Sequence, residues 1–179
     1  MKYCSECGAP VVQRVPPGDH LPRHVCGRCH TIHYQNPKIV AGCVPVWGDR
    51  ILLCRRAIEP RRGLWTLPAG FMENGETAAE AAAREAREEA NARVEDLALY
   101  GVFSLPHINQ VYLMFRGVLR DGRASAGEET LEVGLFREGE IPWRELAFPV
   151  VRETLARYLA EWRGDGFTVQ VADIRRRGV

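Results

Sequence analysis

The run Ala78–Ala90, AAEAAAREAREEA, constrains this chain most. Alanine, arginine and glutamate are strong helix formers. Thr77 can cap the start by accepting an orphan amide, and Glu80 three residues on completes a capping-box pattern. Asn91 ends the helix, asparagine being second only to glycine at a left-handed terminus. Ahead of it, Glu73, Asn74, Gly75 and Glu76 form a polar turn. Helical residues three and four apart share a face, so Glu85, Glu88 and Glu89 point one way. Clustered carboxylates repel one another. A divalent cation relieves that repulsion, because hard ions such as magnesium take oxygen ligands. From charge alone, a solvated surface helix with ordinary Glu/Arg pairs reads equally well.

The wider spacing tips the balance. Gly70, five residues, Glu76, seven residues, Arg84-Glu85, Ala86, Arg87, Glu88-Glu89 and Ala90 follow without a gap. This order resembles the Nudix box of the Nudix hydrolase superfamily. The pattern expects glycine where Asn91 stands and bulky aliphatics where Ala86 and Ala92 stand. Asn91 can still adopt the backbone; the alanines bear on packing under the helix, not on metal ligands. The resemblance implies an α/β (α+β) fold, an α/β/α sandwich with a mixed sheet. It also implies magnesium- (or manganese-) dependent cleavage of a nucleoside diphosphate linked to a further group. Glu85, Glu88 and Glu89 would hold the metal, with the Ala69-Gly70 backbone approaching it. Arg84 would orient them, pairing with Glu76 and a box carboxylate. The general base is expected outside the box, within Gly127–Glu132. Glu129 is the first candidate, with Glu128 and Glu132 behind it, and loop surface charge is the alternative for all three.

Cys4 and Cys7 form one C-x-x-C and Cys26 and Cys29 another, with eighteen residues between the pairs. This fits the four-cysteine zinc pattern, a closed tetrahedral structural site. Disulfides conflict with a cytosolic reading, where thiols stay reduced. No βαβ context for a redox pair is apparent. His20, His24, His30 and His33 lie near and could replace a ligand, but with four cysteines they read as surface or packing residues. Cys43 and Cys54 sit in apolar runs and read as small core residues.

The 179 residues fit a medium domain plus a small appendage. The expected division is a zinc ribbon at 1–34 and a Nudix domain at 35–179. Net charge is +1, with no global electrostatic footprint for nucleic acid. No apolar run approaches membrane-spanning length, and MKYCSECG lacks the apolar region of a signal peptide. The expected location is cytoplasmic.

Along the chain, Ile39–Trp47 and Arg50–Arg55 read as a hairpin around Gly48-Asp49. Ile58–Gly63 reads as a loop. Val94–Leu105 and Gln110–Leu119 read as long antiparallel strands joined through Pro106, and Leu131–Phe136 as a further strand. Pro149–Arg163 reads as a helix with proline in its first turn and apolar residues near helical period. Phe167–Val171 could add an edge strand before Arg175-Arg176-Arg177.

Among Arg55, Arg56, Arg61 and Arg62, Arg56 is the preferred phosphate clamp, because it ends a strand. Phe103, Tyr112 and Trp47 could stack an adenine, although core packing is the commoner fate of strand aromatics. His107, Asn109 and Gln110 are loop polar groups placed to set specificity.

A four-cysteine ribbon before a Nudix domain resembles the NADH pyrophosphatase family, and more closely a bacterial and plant group acting on ADP-ribose and FAD. The NADH group carries Ser-Gln-Pro-Trp-Pro-Phe-Pro past the box. Here Ser104-Leu105-Pro106-His107-Ile108-Asn109-Gln110 stands instead. The expected reactions are ADP-ribose to AMP and ribose 5-phosphate, and FAD to AMP and FMN. Alternatives are an NADH pyrophosphatase, an RNA-cap hydrolase, and a nucleotide sensor without turnover. The resemblance also suggests a homodimer.

Overall fold

The computed structural model describes residues 1–164 and 166–175; Arg176 and Arg177 of the basic tail lie outside the described residues. Two compact units emerge, Met1–Asn36 and Pro37–Val179.

The first unit is an antiparallel sheet of β1 (Val11–Arg14), β2 (Arg23–Cys26) and β3 (Ile32–His33). Its buried side chains include Cys4, Val25, Cys26 and His33. That is little apolar surface to hold such short strands. The four cysteine sulfurs converge beside the sheet, all lying within 4.8 Å of one another. Cys4 and Cys29 are 3.6 Å apart, and Cys7 and Cys26 are 3.5 Å apart. Zinc–sulfur bonds in a tetrahedron set sulfurs about 3.8 Å apart, against about 2.0 Å in a disulfide. The cluster therefore has the dimensions of a zinc site. The backbone N–H groups of Cys29 and Arg28 donate to Cys26 Sγ and hold its thiol below the ordinary range. The Thr31 hydroxyl beside Cys29 Sγ brings that thiol down to about 6. Both effects favour the thiolate a metal needs. His33 has a more specific place than surface or general packing. It is buried, with Nε2 3.2 Å from Cys4 Sγ.

The second unit contains β4 (Lys38–Trp47), β5 (Arg50–Arg56), β6 (Trp65–Thr66), β7 (Ala69–Phe71), α1 (Ala78–Ala90), β8 (Val94–Leu105), β9 (Gln110–Leu119), β10 (Thr130–Phe136), α2 (Pro149–Trp162) and β11 (Gln170–Asp173). The sheet runs β10-β5-β4-β9-β8-β11, with β6 on β5 and β7 on β4. It is mixed: β4 pairs with β9, and β8 with β11, in parallel, and the remaining pairs are antiparallel.

Successive strand residues face opposite sides, and here each side receives a helix. On β4, Val44 packs with Val150, Val151 and Leu155 of α2, while Cys43 packs with Ala81, Ala82 and Ala86 of α1. On β9, Met114 and Phe115 divide in the same way. The result is an α/β/α sandwich. Ala86 and Ala92, where bulkier residues were expected, are both fully buried. Small side chains let α1 lie close on Ala41 and Cys43.

The local readings of α1 hold. Thr77 and Glu80 form the reciprocal capping box, and Asn91 closes the helix in the left-handed region. Two readings near the C-terminus shift. The second helix ends at Trp162, with Arg163 as its cap. The edge strand begins at Gln170 rather than Phe167. Phe167 instead stacks on Tyr158 at 4.9 Å and meets Tyr100 edge-on, a use of the aromatic that a strand position would forgo.

One irregularity shapes the site. Strand β4 pairs with β5 only at Val46–Trp47, and with β7 at Val40–Gly42. The two long strands diverge, and β7 fills the gap against α1.

Candidate active site

Glu85 and Glu89 project from the sheet-facing flank of α1 and are each only 8% exposed, whereas the Glu88 side chain is 58% exposed. Strand β7 makes room for them. A Cβ on Gly70 would fall 2.3 Å from Glu85 Oε1, so this position must be glycine for the carboxylate to lie where it does. Burial, and then the charge of Glu85, pushes the Glu89 carboxyl up to about 8; burial raises Glu85 as well. Glu89 Oε2 is buried without a hydrogen-bond partner among the described residues. A buried, unpaired carboxylate oxygen beside a second carboxylate is unfavourable. It is relieved by a cation, so the donor set fits the hard divalent metal that the resemblance implies.

Arg84 organises the cluster. Its Nη2 and Nε donate to Glu76 at 2.8 and 3.0 Å, and its Nη1 to Glu85 at 2.8 Å and Glu88 at 2.9 Å. A fifth bond runs from Nη2 to Phe71 O at 3.1 Å. With Arg84 and the Glu73 amide beside it, Glu76 is held down at about 2.

The carboxylates open into a cleft of about 730 Å3. Among the described residues its lining includes Arg56, Arg84, Glu85, Glu88, Glu89, Glu128 and Glu129. Gly70 is also on the wall. The fold thus brings together the helix carboxylates, the downstream loop and the end of β5. Arg56 is held by its Nε–H to Pro60 O at 2.9 Å, with its guanidinium over Phe148. Glu132 points elsewhere and pairs with Arg55 at 3.3 Å.

The expected base-stacking residues fare differently. Phe103 is 0% exposed, in the core between the sheet and α2. It cannot stack a substrate base, because β8 turns that face inward. Tyr112 is partly buried against the same core, and its hydroxyl is raised chiefly by burial. Trp47 packs over Gly122, at the far end of β4. His107 and Asn109 sit on an exposed 3-10 turn, Pro106–Ile108 with Asn109 as its cap, outside the cleft lining.

The cleft also takes in residues not read from the sequence as site candidates: Ile58, Glu59, Phe71 and Glu73. Phe71 is a half-exposed aromatic with Lys38 Nζ 4.7 Å from its ring centre. Its signal in the sequence was its position directly after Gly70, the residue that must approach the metal ligands.

Comparison with known proteins agrees with this geometry. The NUDIX domain family matches residues 36–158, and the zinc-ribbon Nudix N-terminal family matches residues 2–35. The chain belongs to the Nudix hydrolase family. An ADP-ribose pyrophosphatase from Methanocaldococcus jannaschii is 31% identical over 64% of this chain and 69% of that protein. An NAD-capped RNA hydrolase from Citrobacter koseri is 28% identical over 90% of this chain. This chain spans 63% of that relative's length, and only 36% of a Vibrio atlanticus enzyme of the same description. The crystal structure of a NUDIX hydrolase from Nitrosomonas europaea superposes with a TM-score of 0.95 at 55% identity, covering 98% of this chain and 100% of that one.

Proposed function

We propose that this chain is a divalent-metal-dependent pyrophosphohydrolase acting on a nucleoside diphosphate derivative, with ADP-ribose and FAD as the preferred substrates. The observation that carries this reading is Glu89 Oε2, buried without a partner among the described residues beside Glu85, in a cleft that also holds Arg56 and Glu129.

Glu85, Glu88 and Glu89 are the residues that would hold magnesium or manganese, with Glu129 facing them. When bound, such a cation neutralises phosphate oxygens and lowers the pKa of water. Arg84 keeps the carboxylates in register. Arg56 binds a phosphate of the diphosphate. Glu129 accepts the proton of the attacking water. The water oxygen joins one phosphorus, the bridging P–O bond breaks, and each product leaves with one phosphate. Phe71 and Ile58 offer an apolar rim for the nucleoside. His107 and Asn109 are retained only as specificity residues on the neighbouring turn. The four cysteines would carry structural zinc, apart from the chemistry.

The ADP-ribose pyrophosphatase named among the relatives supports the first substrate. A second reading, cleavage of NADH or of an NAD cap on RNA, draws on the relative that aligns across 90% of the chain. The Leu105–Asn109 turn, without the tryptophan expected of the NADH group, favours the first. A non-catalytic nucleotide sensor would have no use for a full carboxylate set. The cytoplasmic location and homodimeric state are carried forward as expectations from the sequence.

The test is a magnesium-supported hydrolysis screen over ADP-ribose, FAD, NADH, CoA, diadenosine polyphosphates and NAD-capped RNA. Release of AMP from ADP-ribose or FAD at the highest kcat/KM supports the reading. NADH or capped RNA as the fastest substrate transfers it to the second, and no turnover of any member sinks both.

A further inference from the structure

Asn91 does two separable things at the end of α1. Its backbone takes φ 47° and ψ 27°, a left-handed conformation that glycine adopts more readily. Its side chain, which glycine lacks, reaches far along the chain. Nδ2 lies 3.2 Å from both Ser125 O and Ala126 O. Two carbonyl oxygens can be met only by donors, so the amide nitrogen must face them.

The same stretch docks on the helix end through its backbone. The Ser125 N–H donates to Ala90 O at 2.8 Å, and the Gly127 N–H to Glu89 O at 3.0 Å. These bonds satisfy carbonyls that a helix end otherwise leaves orphaned. The approach is so close that a Cβ on Gly127 would fall 1.7 Å from Glu88 O. The next residues are Glu128 and Glu129, both in the cleft. On the far side the Ala57 N–H donates to Glu129 O at 2.8 Å. The helix carrying three carboxylates and the loop carrying the fourth are thus joined at Asn91.

We propose that the Asn91 side chain is a positioning residue that sets the Glu128–Glu129 loop over the carboxylate cluster; this rests on the reading of Glu129 as a working group. Where the Nudix pattern has glycine, the backbone turn is kept but this tether is impossible. The tether therefore belongs to the asparagine.

Asn91→Gly isolates the side chain, because it keeps the left-handed terminus. The amides of Ser125 and Gly127 are expected to exchange hydrogen about tenfold faster, with the middle of α1 unchanged. With magnesium and the fastest diphosphate of the screen, kcat is expected to fall about tenfold at little-changed KM. In a Glu129→Gln background, the same substitution should leave the residual rate unchanged, since the group being positioned is gone. Unaltered exchange and kcat in Asn91→Gly overturn the proposal, as does an equal loss of rate in both backgrounds. Full activity of Glu129→Gln overturns the reading beneath it, and faster exchange in Asn91→Gly would then show a tether without a catalytic purpose.

Discussion

Arg84 grips Glu76 through two parallel hydrogen bonds, Nη2 to Oε1 and Nε to Oε2, across eight residues of chain. That fork fixes the plane of the guanidinium. The remaining nitrogen, Nη1, is thereby aimed at Glu85 and Glu88 together. The polar turn before α1 and the carboxylates on it form one braced unit.

Arg84→Lys tests the brace. A lysine keeps the charge but is a point donor that cannot form the fork. The expected result is a kcat/KM about tenfold lower. The melting temperature should fall by roughly 3–6 °C, from loss of about 1.5 kcal/mol. Parent-like values for both would mean that the arginine orients nothing.

Glu88→Gln separates ligation from folding. Its side chain is exposed and, among the described residues, its one partner is Arg84, so the fold has little need of the charge. Activity is expected to fall at least about hundredfold, with the melting temperature within about 2 °C of the parent. Near-normal hydrolysis by this variant would remove the metal assignment.

Glu89 links stability to pH. Its carboxyl is raised from 4.5 to about 8 in the metal-free fold, first by burial. Between those values the unfolded chain has released this proton while the folded chain still holds it. The folded state binds more protons, so stability is greatest below the unfolded pKa and falls as pH rises through the window. Metal-free protein should therefore melt lower at about pH 8 than at about pH 5, and Glu89→Gln should flatten that slope. Magnesium competes for the same oxygens and should raise the melting temperature more at the higher pH. An unchanged slope in Glu89→Gln would show that other groups carry the dependence.

Zinc removal is expected to act on the first unit. With so few buried side chains there, chelation should open β1–β3 and expose the buried Cys4 and Cys26 to thiol reagents. Diphosphate hydrolysis with added magnesium should largely persist. If amide protection of β1–β3 survives full chelation, zinc is not what holds the ribbon.

What could be read from the residues alone was local. The cap of α1 at Thr77, its end at Asn91 and the common face of Glu85, Glu88 and Glu89 depend on contacts within a few positions, where spacing and propensity determine geometry. The cysteine spacing was legible for the same reason: two tight turns place sulfurs that a metal can join. What the sequence left open was decided by long-range packing. Phe103 and Phe71 are both strand aromatics, yet β8 turns one into the core against α2, while the other, on the short β7 beside β4, lines the cleft. Glu129 was the first candidate for the base, with Glu128 and Glu132 behind it, and loop surface charge was the alternative for all three. Only the docking of Ser125 and Gly127 on the end of α1 turns Glu129 into the cleft, while the β10 pairing hands Glu132 to Arg55. A three-residue spacing that crosses from a loop into the irregular start of a strand carries no fixed direction, so the selection between them needed the folded chain.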